Sequence, residues 1–150
     1  MGLYNVGTLT LFLSFALSAL IFLTSQALAE PPYGPQKVVY HFNSNSPQIN
    51  AAGLKNIQNH INALGRNLTV VALVHLAAWE MVANDRAVPR QVERMKQLID
   101  QGVVFKMCRN TLNEFKLDPS KDLVIPVTVV PAGVAELVKL QQDGFAYIKP

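Results

Sequence analysis

The stretch Gly102-Val-Val-Phe-Lys-Met-Cys-Arg-Asn-Thr-Leu-Asn-Glu-Phe115 decides the fold and holds the one cysteine of the chain, Cys108. Val103-Val104-Phe105 leads into it, and a polar, helix-capable run from Arg109 to Phe115 leads out. A short apolar run after a Gly, followed by helix formers, predicts a buried strand feeding a helix. Cys108 then falls where strand gives way to helix. In open α/β sheets that edge is where ligands and chemistry gather. A helix start brings unpaired N–H groups and the positive end of a dipole, and Arg109 adds a cation. Those conditions favour a thiolate. The competing reading is a small buried hydrophobe, since free cysteines are among the most buried residues.

The first residues bear on that choice. Leu9 to Leu23 is apolar except for Thr10, Ser14 and Ser18; Ala27-Leu28-Ala29 follows, then Glu30-Pro31-Pro32. This is the pattern of a secretory signal peptide cleaved after Ala29. The run is shorter than the roughly 18–20 residues a spanning helix needs. No Lys or Arg precedes Lys37, which departs from the usual pattern and keeps an uncleaved anchor as the alternative. The expectation is a periplasmic or otherwise exported protein: residues 1–29 a leader, 30–36 an extended Pro-rich lead, 37–150 one domain. A single cysteine cannot form an internal disulfide. Left unpaired in an exported chain, it points to a reactive thiol or an intermolecular pair.

The chain carries 13 Lys and Arg against 10 Asp and Glu, a formal net charge of +3. No basic block occurs. Arg86, Arg90 and Arg94 recur along a helical stretch, interleaved with Asp85 and Glu93, and read as a solvated helix face. No nucleic-acid partner is expected, nor any membrane association once the leader is gone.

Working outward from the cysteine, Lys37–Phe42 reads as a first strand. Ser46-Pro47 offers a cap and a first-turn proline to a helix running to Gly65. Leu68–His75 is continuously apolar, as a strand buried on both faces of a parallel sheet should be. Leu76 to Asn84 reads as a short helix with the single Trp79, and Pro89 opens another that ends at Gly102. Past the cysteine, Val127–Val130 reads as a fourth strand, Pro131-Ala132-Gly133 opens a helix, and Phe145–Lys149 is a fifth strand. Strands alternating with helices imply right-handed βαβ units. The predicted fold is a three-layer α/β/α sandwich, flavodoxin-like, with a mainly parallel sheet of about five strands.

His41 and His75 end the first two strands as Cys108 ends the third. Neighbouring strands would bring all three to one edge. There a histidine can stabilise a thiolate or take its proton. A His-His-Cys set could also bind zinc with an open position, but the spacing is no known metal motif, and no metal or cofactor is expected. His60, within the first helix, reads as a packing or surface residue. The Asn43–Ser46 loop lies where flavodoxin-type folds bind phosphate, which leaves a small-anion or flavin site as an alternative. It has no Gly-rich cradle. Paired carboxylates, Gly-x-Ser-x-Gly and Walker loops are absent, which argues against classical hydrolase and NTPase chemistry.

Gly102 to Leu112 resembles the cysteine motif of the DsrE/DsrF-like sulfur-relay family. Lys37-Val-Val-Tyr-His-Phe42 and Asn56-Ile-Gln-Asn-His-Ile-Asn62 support the likeness. Val130-Pro-Ala-Gly-Val-Ala-Glu-Leu137 and Gly144-Phe-Ala-Tyr-Ile-Lys-Pro150 look like its exported branch. The resemblance implies a flavodoxin-like fold, a homo-oligomer, and a cysteine that carries sulfur as a persulfide. That cysteine maps to Cys108, with a sulfur donor or acceptor protein as partner. Arg109, Asn110 and the helix start would hold the anion, and His41 or His75 would be accessory. At most the activity is that of a sulfurtransferase-like carrier. The alternative is a non-enzymatic oligomeric binding or assembly module with a structural cysteine. The family often has glycines after the histidine of the second strand; here Leu76-Ala-Ala-Trp79 stands in their place.

Overall fold

A computed structural model describes residues 33–150; the predicted leader and the first part of the lead lie outside the described residues. Five strands, β1 (Gln36–Phe42), β2 (Leu68–Val74), β3 (Val104–Cys108), β4 (Thr128–Val130) and β5 (Ala146–Ile148), form one sheet in the order β4-β3-β2-β1-β5. Every pairing is parallel. Four α-helices connect them: α1 (Pro47–Leu64), α2 (Pro89–Asp100), α3 (Arg109–Glu114) and α4 (Gly133–Gln142).

Local chemistry sets the boundaries. The Ser46 hydroxyl accepts from the Ile49 N–H at 3.3 Å, and Pro47 occupies the first turn, so α1 starts there. Gly65, at φ 54°, ends it. The stretch predicted as a helix from Leu76 is instead a 3₁₀ segment, Leu76–Met81. It is anchored at both ends: Leu76 N–H donates to the Thr111 hydroxyl at 3.1 Å, and Ala83 bridges to Leu123. The fourth strand is shorter than predicted, because only Thr128–Val130 pairs with β3.

Each strand sends alternate side chains to opposite faces. On one face Val38, Tyr40, Phe42, Val70, Ala72, Val74, Phe105 and Met107 pack against Leu54 and Ile57 of α1, Met95 and Leu98 of α2, and Leu112 of α3. Gly53 allows the closest approach: a Cβ there would lie 2.6 Å from the Phe42 ring. The other face is smaller. Val39, Val71, Leu73 and Val130 pack against Leu137 and Leu140 of α4. The handedness of the crossovers explains the split. The chain steps from β1 to β4 in one direction and then returns past β1 to β5, so the last crossover helix lands on the opposite face.

Candidate functional site

Cys108 is the last residue of β3 and the cap position of α3. It points to the α4 face, where the Gly133 N–H donates to its Sγ at 3.2 Å. The N–H groups of Asn110 and Thr111 and the Thr111 hydroxyl also face the sulfur, without the close geometry of the Gly133 bond. Burial alone pushes the thiol pKa up. The donors from Thr111, Gly133 and Asn110 outweigh it and bring the pKa below the ordinary thiol value. The residue is only 1% exposed.

Gly133 holds a further contact. A Cβ on it would lie 3.2 Å from the His75 ring and 3.3 Å from Cys108 Cβ. His75 and Cys108 therefore both border the space that a side chain on Gly133 would fill. His75 in turn stacks on His41, with ring centroids 5.6 Å apart and His41 Nε2 3.4 Å from His75 Nδ1. His41 Nδ1 is 2.9 Å from the Tyr147 hydroxyl of β5. Side chains from four neighbouring strands thus form the row Cys108, His75, His41, Tyr147. Burial, then the neighbouring His75 and Lys149, lower His41 to about 4. Burial also lowers His75. Both rings are favoured in the neutral form, so they serve as hydrogen-bonding and packing groups rather than as cations beside a thiolate.

The sequence reading brought Cys108, His41 and His75 to one edge, and the structure places them there. Arg109 and Asn110 are both exposed at the start of α3, and of the two only the Asn110 backbone faces the sulfur. Thr111, Gly133 and Tyr147 were not singled out from sequence. Thr111 carried a signal: it is the third residue of a helix capped by Cys108, and N–H groups at that position commonly turn back to the cap side chain. His60 bridges α1 and β1, with its ring nitrogens 3.2 Å from the Tyr40 hydroxyl and 2.8 Å from Gln36 Oε1.

In the Asn43–Ser46 loop the polar groups serve the loop itself. Ser44 Oγ accepts from Ser46 N–H, and Ser46 Oγ donates to Gln48 while capping Ile49. Among the described residues, no three His, Cys, Asp or Glu side chains gather as a metal site would require.

No curated protein matches the chain. Among solved structures it is similar to MTH1491 of Methanobacterium thermoautotrophicum, a protein of unknown function. The TM-score is 0.69 at 27% identity, over 77% of this chain and 99% of that one. It is also similar to the ychN protein of E. coli, with a TM-score of 0.58 at 14% identity, over 77% of this chain and 99% of that one; this second likeness bears on the fold alone. The DsrE/DsrF-like family model matches residues 36–150, which span every strand and helix described above, and the chain belongs to that family.

Proposed function

We propose that the protein carries sulfur as a persulfide on Cys108. The observation that supports this most directly is the ring of donors at the sulfur: the Gly133 N–H at 3.2 Å and the Asn110 and Thr111 groups that lower its pKa. In loading, the Cys108 thiolate attacks the outer sulfur of a donor persulfide, R–S–SH. A Cys108 S–S bond forms, the donor's S–S bond breaks, and R–S⁻ leaves. In delivery an acceptor thiolate attacks the outer sulfur, and Cys108 leaves as thiolate. No electron is gained or lost overall in either transfer. The same donors stabilise the anion before and after each step. Because Cys108 is buried, both steps require a local opening of the loops around it. The neighbouring turn is strained, since Leu76 holds φ 50° without being glycine, as does Lys116 at φ 55° after α3.

The burial itself favours a second reading, a binding or assembly module in which Cys108 only packs. Mass spectrometry of the protein taken from its native compartment separates the two. A carrier shows the Cys108 peptide heavier by one sulfur, and Cys108→Ser removes that species while keeping the fold. A thiol that stays unmodified, and reacts only after denaturation, establishes the packing role.

Export is part of the proposal. The apolar Leu9–Leu23 run and Ala27-Leu28-Ala29 support it. N-terminal sequencing of the exported protein should begin at Glu30; recovery of the whole chain in membranes would establish the anchor instead. A homo-oligomer is proposed as well, supported by the exposed Val104, Val134 and Val138 on the face that a single helix covers. Light scattering that reports a monomer at micromolar concentration would remove it.

A further inference from the structure

The α1–α2 face, across the sheet from Cys108, holds a cavity that the sulfur chemistry does not use. The first turns of α1 and α2 are tied together by Gln91 Nε2, which donates to the Pro47 carbonyl at 2.7 Å. Beside this tie lies a cavity of about 290 Å³. Its apolar lining is Ala51, Leu54 and Val88, and its charges are Lys55, Arg90 and Arg94. No carboxylate lines it, and none of the three cations pairs with a carboxylate among the described residues. Arg90 and Arg94 are one helical turn apart, so both guanidinium groups project from the same side of α2. Read along the sequence these arginines look like a solvated face. In the fold they join Lys55 around an apolar floor.

A second observation shows which end of the cavity is polar in another sense. Val88 and Gln91 also line a neighbouring hollow of about 30 Å³, together with Asn50, Glu80 and Arg86. Asn50 is 2% exposed; its Nδ2 donates to the Ser44 carbonyl at 3.0 Å, but its Oδ1 has no partner. A buried acceptor left without a donor carries a desolvation penalty of about 1–3 kcal/mol. A ligand hydroxyl or N–H that opens the hollow and reaches this oxygen would remove it.

We infer that this cleft binds a small organic acid: an anionic group at Lys55, Arg90 and Arg94, a short apolar body on Ala51, Leu54 and Val88, and a terminal donor at Asn50. The volume suits a body of a few carbons and lies at the small end of ligand sites. The cations at one end set the sign of the charge, and the apolar floor sets the preference for an organic over an inorganic anion.

The test is a titration of the purified protein with ω-hydroxyhexanoate, followed by backbone and side-chain amide chemical shifts. Expected are saturable shifts confined to Asn50–Lys55 and Val88–Arg94, including the Asn50 side-chain amide. Hexylammonium and inorganic phosphate should give none at the same concentrations. Arg90→Ala and Arg94→Ala remove exposed side chains and leave the fold intact. Each should weaken binding about fivefold, as expected for one exposed charge contact. Equal shifts with hexylammonium, shifts spread away from the cleft, unchanged affinity in both variants, or no saturable shift would each overturn the inference.

Discussion

Thr111→Val isolates one donor at the cysteine. Valine keeps the shape of threonine and removes only the hydroxyl, which has two roles here. It accepts from the Leu76 N–H at 3.1 Å, and it is turned to the Cys108 sulfur, whose pKa it helps to lower. A net hydrogen bond of ordinary strength contributes about 1 kcal/mol. Losing a contact looser than that from the anion alone changes the thiolate-to-thiol ratio by up to about fivefold at any pH below the titration midpoint. The Gly133 donor and the α3 backbone remain, so the midpoint should rise without reaching the value of a thiol buried among apolar groups.

The assay is the ultraviolet absorbance of the thiolate as a function of pH, with Cys108→Ser subtracted to remove tyrosine ionisation. Absorbance reads charge at the sulfur and needs no reagent to enter, so a change in loop opening does not confuse it. The linkage has a definite sign. A thiol pKa below its unfolded value adds stability that is full above the unfolded pKa and is lost as pH falls through the folded one. Thr111→Val should therefore be penalised more at alkaline than at neutral pH, beyond a constant cost from the unpaired Leu76 N–H. A midpoint that stays put or falls refutes the assignment of Thr111 as a donor to sulfur.

Gly133→Ala adds a methyl 3.2 Å from the His75 ring and 3.3 Å from Cys108 Cβ, and overpacking of this kind costs about 1–3 kcal/mol; an unchanged denaturant midpoint would show that the contact yields freely. His41, held at about 4, favours its neutral form in the fold. Its contribution is full above the unfolded histidine pKa near 6.5 and is lost as pH falls toward 4, so ring-proton shifts should titrate there and His41→Asn should flatten stability across that window; a midpoint near 6.5 contradicts it. Lys106 and Glu136 form an ion pair between β3 and α4, with side chains 20% and 12% exposed. Glu136→Gln leaves the lysine without its partner and should lower stability by about 2 kcal/mol, with little effect from Lys106→Met and Glu136→Leu together; equal losses from the single and double changes would refute a pairing role.

Much of this architecture was legible because its signals are local. The apolar run before Cys108 and the helix formers after it fix a strand-to-helix junction without help from the rest of the chain. The same holds for Ser46-Pro47 before α1. What escaped the sequence depends on distant pairing. Gly133 reaches the sulfur only because Cys108 stands in register with Val130 across β3 and β4. Tyr147 meets His41 only because β5 pairs with β1 and puts Tyr147 opposite Val39. The 3₁₀ segment shows the same limit in reverse. Leu76-Ala-Ala-Trp79 has helical propensity, but the anchors at Thr111 and Leu123 override it. The cleft between α1 and α2 was hidden too, since Lys55 and Arg90 come together only once the two helices pack.

The return of the chain from β4 to β5 links the fold to the cysteine's chemistry. Had α4 followed α1, α2 and α3 onto the first face, the second face of the sheet would have no helix, and the Cys108 sulfur would meet only the donors of its own helix start. Those are the Asn110 and Thr111 groups, which lack the close geometry of a cap bond. The reversal brings the beginning of α4 over the end of β3 instead. Gly133, lacking a side chain, fits between His75 and Cys108 and delivers the N–H that does bond the sulfur at 3.2 Å. The donor therefore comes from the element that also buries the thiol. Exposing Cys108 by displacing α4 would remove the Gly133 hydrogen bond from the sulfur. Under the proposed sulfur transfer, an opening that leaves the beginning of α4 in place would keep this bond, and one that lifts α4 would not.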